Sequence, residues 1–211
     1  MALESRCCWC GGPFVRGRVL RADVWVCSTT ACQQRQLKHH ISVQVPKPGN
    51  KDGLSQPKLM YLPLPRQVDA LEAVDRGERR ILFGGAAGGS KSHFLRWLHY
   101  RQALKYPGFN SLILRRKFPE LEHTHIRAAK REAQLLGGDY LSTQKIINWP
   151  NGSITQFGHC QEADDVMNYL SAEYDLISFD ELVTFERDQV LMISSRARST
   201  NELLVPQVVS G

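Results

Sequence analysis

The sequence holds no apolar run that approaches the ~20 residues needed to cross a bilayer, so no membrane-spanning helix is predicted. Its first residues, Met1-Ala2-Leu3-Glu4-Ser5-Arg6, lack the apolar stretch of a secretion signal. A reducing, cytoplasmic compartment is therefore the expectation. Six cysteines there are expected as metal ligands or plain thiols, not as a disulfide framework. No internal repeat is present. Acidic residues are scarce at one end only. Residues 1–60 hold nine Lys/Arg against three Asp/Glu, and the rest of the chain holds 18 of each. The whole net charge of +6 thus sits on the N-terminal segment. A basic appendage on a neutral domain suggests a polyanionic partner, most simply nucleic acid, although a solvated basic arm gives the same count.

What the chain does contain changes character along its length. Residues 1–44 are rich in Cys and Arg. Residues 45–60, with VPKPGNKDGLSQPK, concentrate Pro, Gly, Asn, Asp and Ser and read as a linker. From Tyr61 to Gly211, helical and strand patterns alternate. Val68, Leu71 and Val74 mark one face of a helix over 65–76. Arg80–Phe83 reads as a short buried strand, 91–105 as a helix, and Ser111–Leu114 as a second buried strand. A helix over 119–136 places Ile126, Ala129, Ala133 and Leu136 on one face. Residues 146–149 and 153–157 flank Asn151-Gly152 as a hairpin, with Pro150 obscuring the register. A short helix near 161–171, a strand at Leu176–Phe179, a helix near 185–195 and a strand at 203–209 follow. Short apolar strands separated by helices predict a mostly parallel sheet covered on both faces.

The most specific segment is Phe83-Gly84-Gly85-Ala86-Ala87-Gly88-Gly89-Ser90-Lys91-Ser92. It lies between a predicted strand and a predicted helix, as a phosphate-binding loop requires. Glycines let successive N–H groups converge on phosphate oxygens, and the helix N-terminus adds partial positive charge. In that reading Lys91 reaches the β- and γ-phosphates of ATP and Ser92 ligates Mg²⁺. Ser90 stands where the last glycine of the pattern is expected; a serine in helical conformation at the helix start would satisfy the position. An ordinary glycine turn is the bland alternative.

A second constellation is Leu176-Ile177-Ser178-Phe179-Asp180-Glu181. An apolar strand delivers two carboxylates to its C-terminal end, the edge at which open parallel sheets bind ligands. Asp180 would hold Mg²⁺, and Glu181 would take a proton from the attacking water. Alternation along the strand would send the two side chains to opposite faces. By themselves the acids are a solvated turn. About 90 residues downstream of the glycine loop, they complete an NTPase pattern. Ser111–Leu114 intervenes in sequence, which points to the RecA-like branch of P-loop folds.

With these motifs in hand, residues 61–211 resemble the large terminase subunit of tailed bacteriophages. Leu62-Pro63-Leu64-Pro65-Arg66-Gln67 precedes the first core strand, where the family's adenine-recognising glutamine stands; Gln67 is the candidate, unless it is a surface helix residue. Leu112-Ile113-Leu114-Arg115-Arg116-Lys117-Phe118-Pro119-Glu120-Leu121, Asn151-Gly152-Ser153 and Ser195-Arg196-Ala197-Arg198-Ser199 resemble further family segments in the right order. The resemblance implies an ATPase motor that drives double-stranded DNA into a procapsid. It also implies a ring of subunits, portal protein and small terminase subunit as partners, and action in host cytoplasm at the procapsid portal. An arginine commonly completes such a site from a neighbouring subunit. Arg115, Arg116, Arg127, Arg196 and Arg198 are all candidates, and Arg115 and Arg116 are equally eligible as supports in cis. Ser210 and Gly211 resemble the start of a Ser/Thr-Gly-Asn coupling stretch. The expectation is then a fragment whose nuclease domain lies beyond residue 211.

Outside that resemblance, Cys7-Cys8-Trp9-Cys10-Gly11-Gly12 precedes Cys27-Ser28-Thr29-Thr30-Ala31-Cys32. Cys7, Cys10, Cys27 and Cys32 form two pairs able to surround tetrahedral Zn²⁺, similar to small zinc-ribbon or treble-clef modules. His39 and His40 are alternatives to Cys32, and Cys160 reads as a core thiol. Two other functions remain open from the residues: a helicase-like or other DNA-remodelling P-loop ATPase, and a zinc-dependent nucleic-acid adaptor without turnover.

Overall fold

The computed structural model describes residues 14–19, 22–27, 29–46, 55–85, 90–199, 201 and 204–211. The chain divides into two units, Met1–Glu72 and Ala73–Gly211. In the first, β1 (Phe14–Val19) pairs antiparallel with β2 (Ala22–Cys27), and helix α1 (Thr30–Leu37) follows. Strand β3 (Ile41–Pro46) then pairs antiparallel with β4 (Ser55–Tyr61). The linker expected over 45–60 is therefore strand at both of its ends; its centre, 47–54, lies outside the described residues. Pro57 sits in this two-stranded ribbon, where a residue without an N–H removes no central ladder bond. Helix α2 (Pro65–Asp75) begins with proline at its first position, where the missing N–H costs nothing. Its predicted face is buried: Val68, Leu71 and Val74 are at most 4% exposed. Arg35 of α1 grips α2 through Asp69 at 2.8 Å and Glu72 at 2.5 Å and 2.9 Å.

The second unit is a seven-stranded sheet. Its strands are β5 (Arg80–Leu82), β6 (Asn110–Arg115), β7 (Asp139–Leu141), β8 (Ile146–Asn148), β9 (Ile154–His159), β10 (Leu176–Phe179) and β11 (Gln207–Ser210). They lie in the order β5-β11-β10-β6-β9-β8-β7, parallel from β5 to β9 and antiparallel beyond. Helix α3 (Lys91–Lys105) follows β5, and α4 (Phe118–Leu121) and α5 (Arg127–Leu135) follow β6. Helix α6 (Arg187–Ser194) follows β10. The β10 residues Ile177 and Phe179 join Ile193 of α6 in one apolar core, while Ser178 between them bonds His99 of α3. Helices therefore cover both faces of the sheet. That is why β6 and β10 are apolar without alternation.

Several expectations need correction. Arg80–Phe83 is not a buried strand. As the edge strand it gains cover from one neighbour only, and Leu82 is 72% exposed. The helix over 119–136 is present but not uniform: it runs from Phe118 to Leu135, with a π-helical turn at Glu122–Ile126 between α4 and α5. The short helix expected near 161–171 is present as a 3₁₀ helix, Ala163–Tyr169, opened by a capping box between Glu162 and Asp165. Strand β7 carried no sequence signal. Ser111–Leu114 precedes the acids in sequence but lies beside them in the sheet; the strand that separates the glycine-loop strand from the acidic strand is β11, the last of the described chain.

Candidate functional site

Parallel pairing brings the C-terminal ends of β5, β11, β10 and β6 to one edge, next to the N-terminus of α3. Backbone bonds hold that edge together: Phe83 N donates to Ser210 O at 2.7 Å, Gly211 N to Phe179 O at 3.0 Å, and Asp180 N to Leu114 O at 2.8 Å. Ala86, Ala87, Gly88 and Gly89 lie outside the described residues; Gly85, Ser90, Lys91 and Ser92 do not. Lys91 Nζ donates to the Gly85 carbonyl at 3.0 Å, across the loop. Ser90 corrects the expectation of a helical serine: its φ of 56° and ψ of 28° are left-handed. An L-residue there carries a steric cost of about 1–2 kcal/mol that glycine escapes, which is the physical reason glycine is usual at this position.

The centre of the site is Asp180, only 1% exposed. Its Oδ2 accepts from Ser92 Oγ at 2.8 Å, from Arg115 Nη1 at 2.5 Å and from His125 Nε2 at 2.9 Å. Its Oδ1 is buried without a hydrogen-bond partner. Burial alone would raise the Asp180 pKa. The hydrogen bond from His125, the Ser92 hydroxyl and the Arg115 guanidinium outweigh it and hold the carboxyl down at about 2. His125 is buried too, and burial pushes its pKa down against the pull of Asp180. The neutral tautomer with its proton on Nε2 fits this environment, donating to Asp180 and leaving Nδ1 bare.

Glu181 departs from its expected geometry. Strand β10 ends at Phe179, and Glu181 sits in left-handed conformation with φ 58°. The acids therefore do not point to opposite faces. Both meet the same guanidinium, Arg115 Nη2 lying 2.7 Å from Glu181 Oε1. Arg115 Nε lies 3.4 Å from Glu120 as well. Burial opposes its charge, but the carboxylates around it raise its pKa.

Other sequence candidates divide clearly. Arg116 turns away from the acids and bonds Gln189 and Glu186 at the start of α6, at 2.5 Å and 3.1 Å. Arg196 and Arg198 bracket Ala197, which bridges Tyr174 ahead of β10, so they lie at the opposite edge of the sheet. Six residues of extended chain separate Tyr174 from Asp180, about 20 Å, which no arginine side chain spans. Arg127 is exposed on α5. Asn151 and Ser153 also belong to the far edge, bonding the Ala103 carbonyl at 2.8 Å and 3.0 Å near the end of α3. Ser210 is buried at the near edge, and a Cβ built on Gly211 would lie 3.6 Å from Lys91 Cβ. Gln67, in the N-terminal unit, is buried, its amide oxygen accepting from Tyr61 Oη at 3.0 Å and Leu64 N at 2.8 Å.

For the cysteine set, Cys7 and Cys10 and the side chain of Cys27 lie outside the described residues. Phe14 pairs with Cys27 across the β1–β2 hairpin, and Cys32 is buried in the first turn of α1. His39 is buried, with Nε2 at 3.8 Å from Glu72, while His40 is exposed and bonds the Leu37 carbonyl at 2.6 Å. Among the described residues no cluster of three or more His, Cys, Asp or Glu is arranged to hold a metal. His125, which sequence reasoning passed over, is the unforeseen member of the site. It stands one residue ahead of the apolar face of α5, in a run, Glu122-His123-Thr124-His125, with no periodicity of its own.

No protein-family model matches the sequence, and no curated protein matches it. Solved structures do share the fold, a mostly parallel α/β sheet flanked by helices. The large terminase of a thermophilic bacteriophage aligns with a TM-score of 0.58 at 12% identity, over 69% of this chain and 37% of that one. The same terminase in complex with ATP-gamma-S aligns at 0.54 and 12%, over 69% and 36%. The large terminase of bacteriophage HK97 gives 0.58 and 12%, over 72% and 33%. The chain spans about a third of the length of these terminases.

Proposed function

We propose that this chain is the ATP-binding and hydrolysing part of a viral DNA-packaging motor of the terminase type. The observation that carries the reading is the meeting of Ser92, from the start of α3, with Asp180, from the end of β10, at 2.8 Å. A phosphate-loop hydroxyl and a strand-end carboxylate in contact are the two protein ligands that Mg²⁺ takes in P-loop sites. The unpartnered, buried Oδ1 of Asp180 fits that donor set. When bound, Mg²⁺ would neutralise charge on the β- and γ-phosphate oxygens.

Each residue then has a task. Gly85, Ala86, Ala87, Gly88, Gly89 and Ser90 supply the backbone that cradles the phosphates, and Lys91 exchanges its bond to Gly85 for the β- and γ-oxygens. Glu181, with a half-exposed carboxylate, accepts the proton of the attacking water. Arg115 acts in cis: already beside both acids, it stabilises charge that develops on the transferred phosphoryl group. Arg127, exposed on α5, and Arg198, exposed at the far edge, are the sequence candidates left to act in a neighbouring subunit's site, Arg198 by giving up the Ser195 carbonyl and Glu173. Gln67 reads adenine, which requires its amide to exchange present partners for the base. Ser210, at the end of β11 beside the start of α3, couples the γ-phosphate state to movement. Cys7, Cys10, Cys27 and Cys32 hold one Zn²⁺, and the basic segment around them touches DNA. Double-stranded DNA, portal protein and small terminase subunit are the partners, met at the procapsid portal in host cytoplasm.

ATP turnover stimulated by double-stranded DNA tests the motor. Lys91→Ala should abolish nucleotide binding or turnover, and Glu181→Gln should keep binding while stopping hydrolysis. Fast turnover by Glu181→Gln rejects it as the base, and a chain that never binds ATP supports the adaptor instead. DNA-stimulated turnover without packaging in the presence of portal and procapsid favours the helicase-like alternative. Elemental analysis should find one zinc per chain, lost in Cys10→Ser; full retention would overturn the ligand set.

A further inference from the structure

Three donors converge on one oxygen of Asp180, and they come from different sides. Ser92 belongs to the phosphate loop. Arg115 also binds the half-exposed Glu181 and Glu120, on the open side of the site. His125 is wholly buried and comes from the helical segment after β6, 2.9 Å from the same oxygen. All three donors crowd Oδ2 while Oδ1 has none, and a cation arriving beside Asp180 disturbs two of the three. Ser92 must turn its lone pairs to the cation, and Arg115 must yield to a like charge. Only His125 is placed to remain.

The chain around His125 is built to hold it there. The π turn Glu122–Ile126 inserts one residue into the helical path, an extra rotation of about 100°. Leu121 before the turn, and His125, Ile126, Ala129 and Ala133 from it onward, are thereby all buried. The turn is tied to the phosphate-loop helix by Arg96, whose Nη1 donates to the Thr124 carbonyl at 2.8 Å while its Nε and Nη2 grip Glu132 at 2.9 Å and 3.1 Å. A π turn inside a helix is a local cost that is often kept where it aims a functional side chain.

We infer that His125 is a positioning residue: its Nε2–H orients the Asp180 carboxylate so that the buried Oδ1 faces the Mg²⁺ site once Ser92 and Arg115 have let go. The inference rests on the ATPase reading above. It assigns to a residue outside the sequence motifs the job that fixes the metal ligand.

The test compares His125→Gln with His125→Met in the full chain. The two replacements have nearly the same length and shape, but only Gln presents an N–H donor near the place of Nε2. Binding of a fluorescent ATP analogue is measured in EDTA and then across a Mg²⁺ titration, with thermal unfolding recorded for each variant. Loss of the partner behind a metal ligand typically weakens metal affinity about ten- to hundredfold. His125→Met should therefore raise the half-saturating Mg²⁺ at least about tenfold, leaving metal-free nucleotide affinity unchanged, and His125→Gln should stay within about threefold of the parent. Equal Mg²⁺ curves for Met and the parent overturn the inference. So does an equal loss in Gln and Met accompanied by lowered unfolding temperatures, which marks His125 as packing alone. Failure of the parent chain itself to bind Mg²⁺-dependent nucleotide, with Lys91→Ala indistinguishable from it, overturns the ATPase reading and this inference with it.

Discussion

Replacing Arg96 by methionine should destabilise the chain more than any exposed substitution, and replacing Glu132 with it should repair most of the damage. Arg96 is 6% exposed in its side chain and Glu132 17%, so the pair is largely out of water. The guanidinium makes two bonds to the carboxylate, one to the Thr124 carbonyl and a longer one to the Ser92 carbonyl at 3.4 Å. Arg96→Met would leave Glu132 with the Tyr100 hydroxyl at 3.1 Å as its remaining side-chain donor. Breaking one half of a buried ion pair costs about 3–5 kcal/mol, because the other charge stays behind uncompensated. Glu132 keeps some contact with water, which places the cost near the lower end, about 3 kcal/mol. At about 2–4 °C per kcal/mol for a chain of this size, the midpoint should fall by roughly 6–12 °C. Replacing both partners by methionine removes the stranded charge, and the net change should be small. Urea denaturation of the two single variants and the double gives the coupling energy directly. A loss under about 1 kcal/mol in Arg96→Met, or a double variant equal to the sum of the singles, would refute the account.

Two further outcomes follow from backbone and burial. Ser90→Gly should be neutral or stabilising, because relief of about 1–2 kcal/mol of left-handed strain offsets the extra entropy glycine brings to the unfolded chain, whereas Ser90→Val should be clearly destabilising; thermal midpoints in the order Gly, Ser, Val check this, and Val equal to Gly contradicts it. His99 is wholly buried, bonds Ser178 at 2.8 Å, and is held down to a pKa of about 3 by burial. Its unfolded form protonates near pH 6.5 while the folded form does not, so its contribution is complete above pH 6.5 and is lost as pH falls towards 3. The slope should be about 1.4 kcal/mol per pH unit in urea melts between those limits, and His99→Gln should flatten it.

Elements whose signals are local can be read from the residues alone. The face of α2 shows in the spacing of Val68, Leu71 and Val74. The span of α3 follows from the glycine loop before it. The strands β6 and β10 show as unbroken apolar runs, because burial on both faces removes alternation. That Lys91, Ser92, Asp180 and Glu181 stand at one sheet edge was legible, because a loop ahead of a helix and the end of a parallel strand meet there. The hairpin between β8 and β9 was legible from Asn151-Gly152, where Gly152 takes a φ of 82°.

The tertiary structure decided whatever depends on neighbours distant in sequence. Leu82 is as apolar as Leu114, yet one lies on the edge strand and the other in the middle of the sheet. Glu181 looked like the next residue of a strand; the turn it enters instead brings both acids to Arg115. Arg115 and Arg116 are adjacent and chemically alike, and only the direction of each side chain sends one to Asp180 and the other to the start of α6. His125 had no pattern to announce it, because a π turn is set by what the helix must pack against and not by composition. Periodicity and composition act over a few neighbouring residues. The partner of a buried charge is chosen by the fold, which here brings a residue of the helical segment after β6 and a residue at the end of β10 to within 2.9 Å.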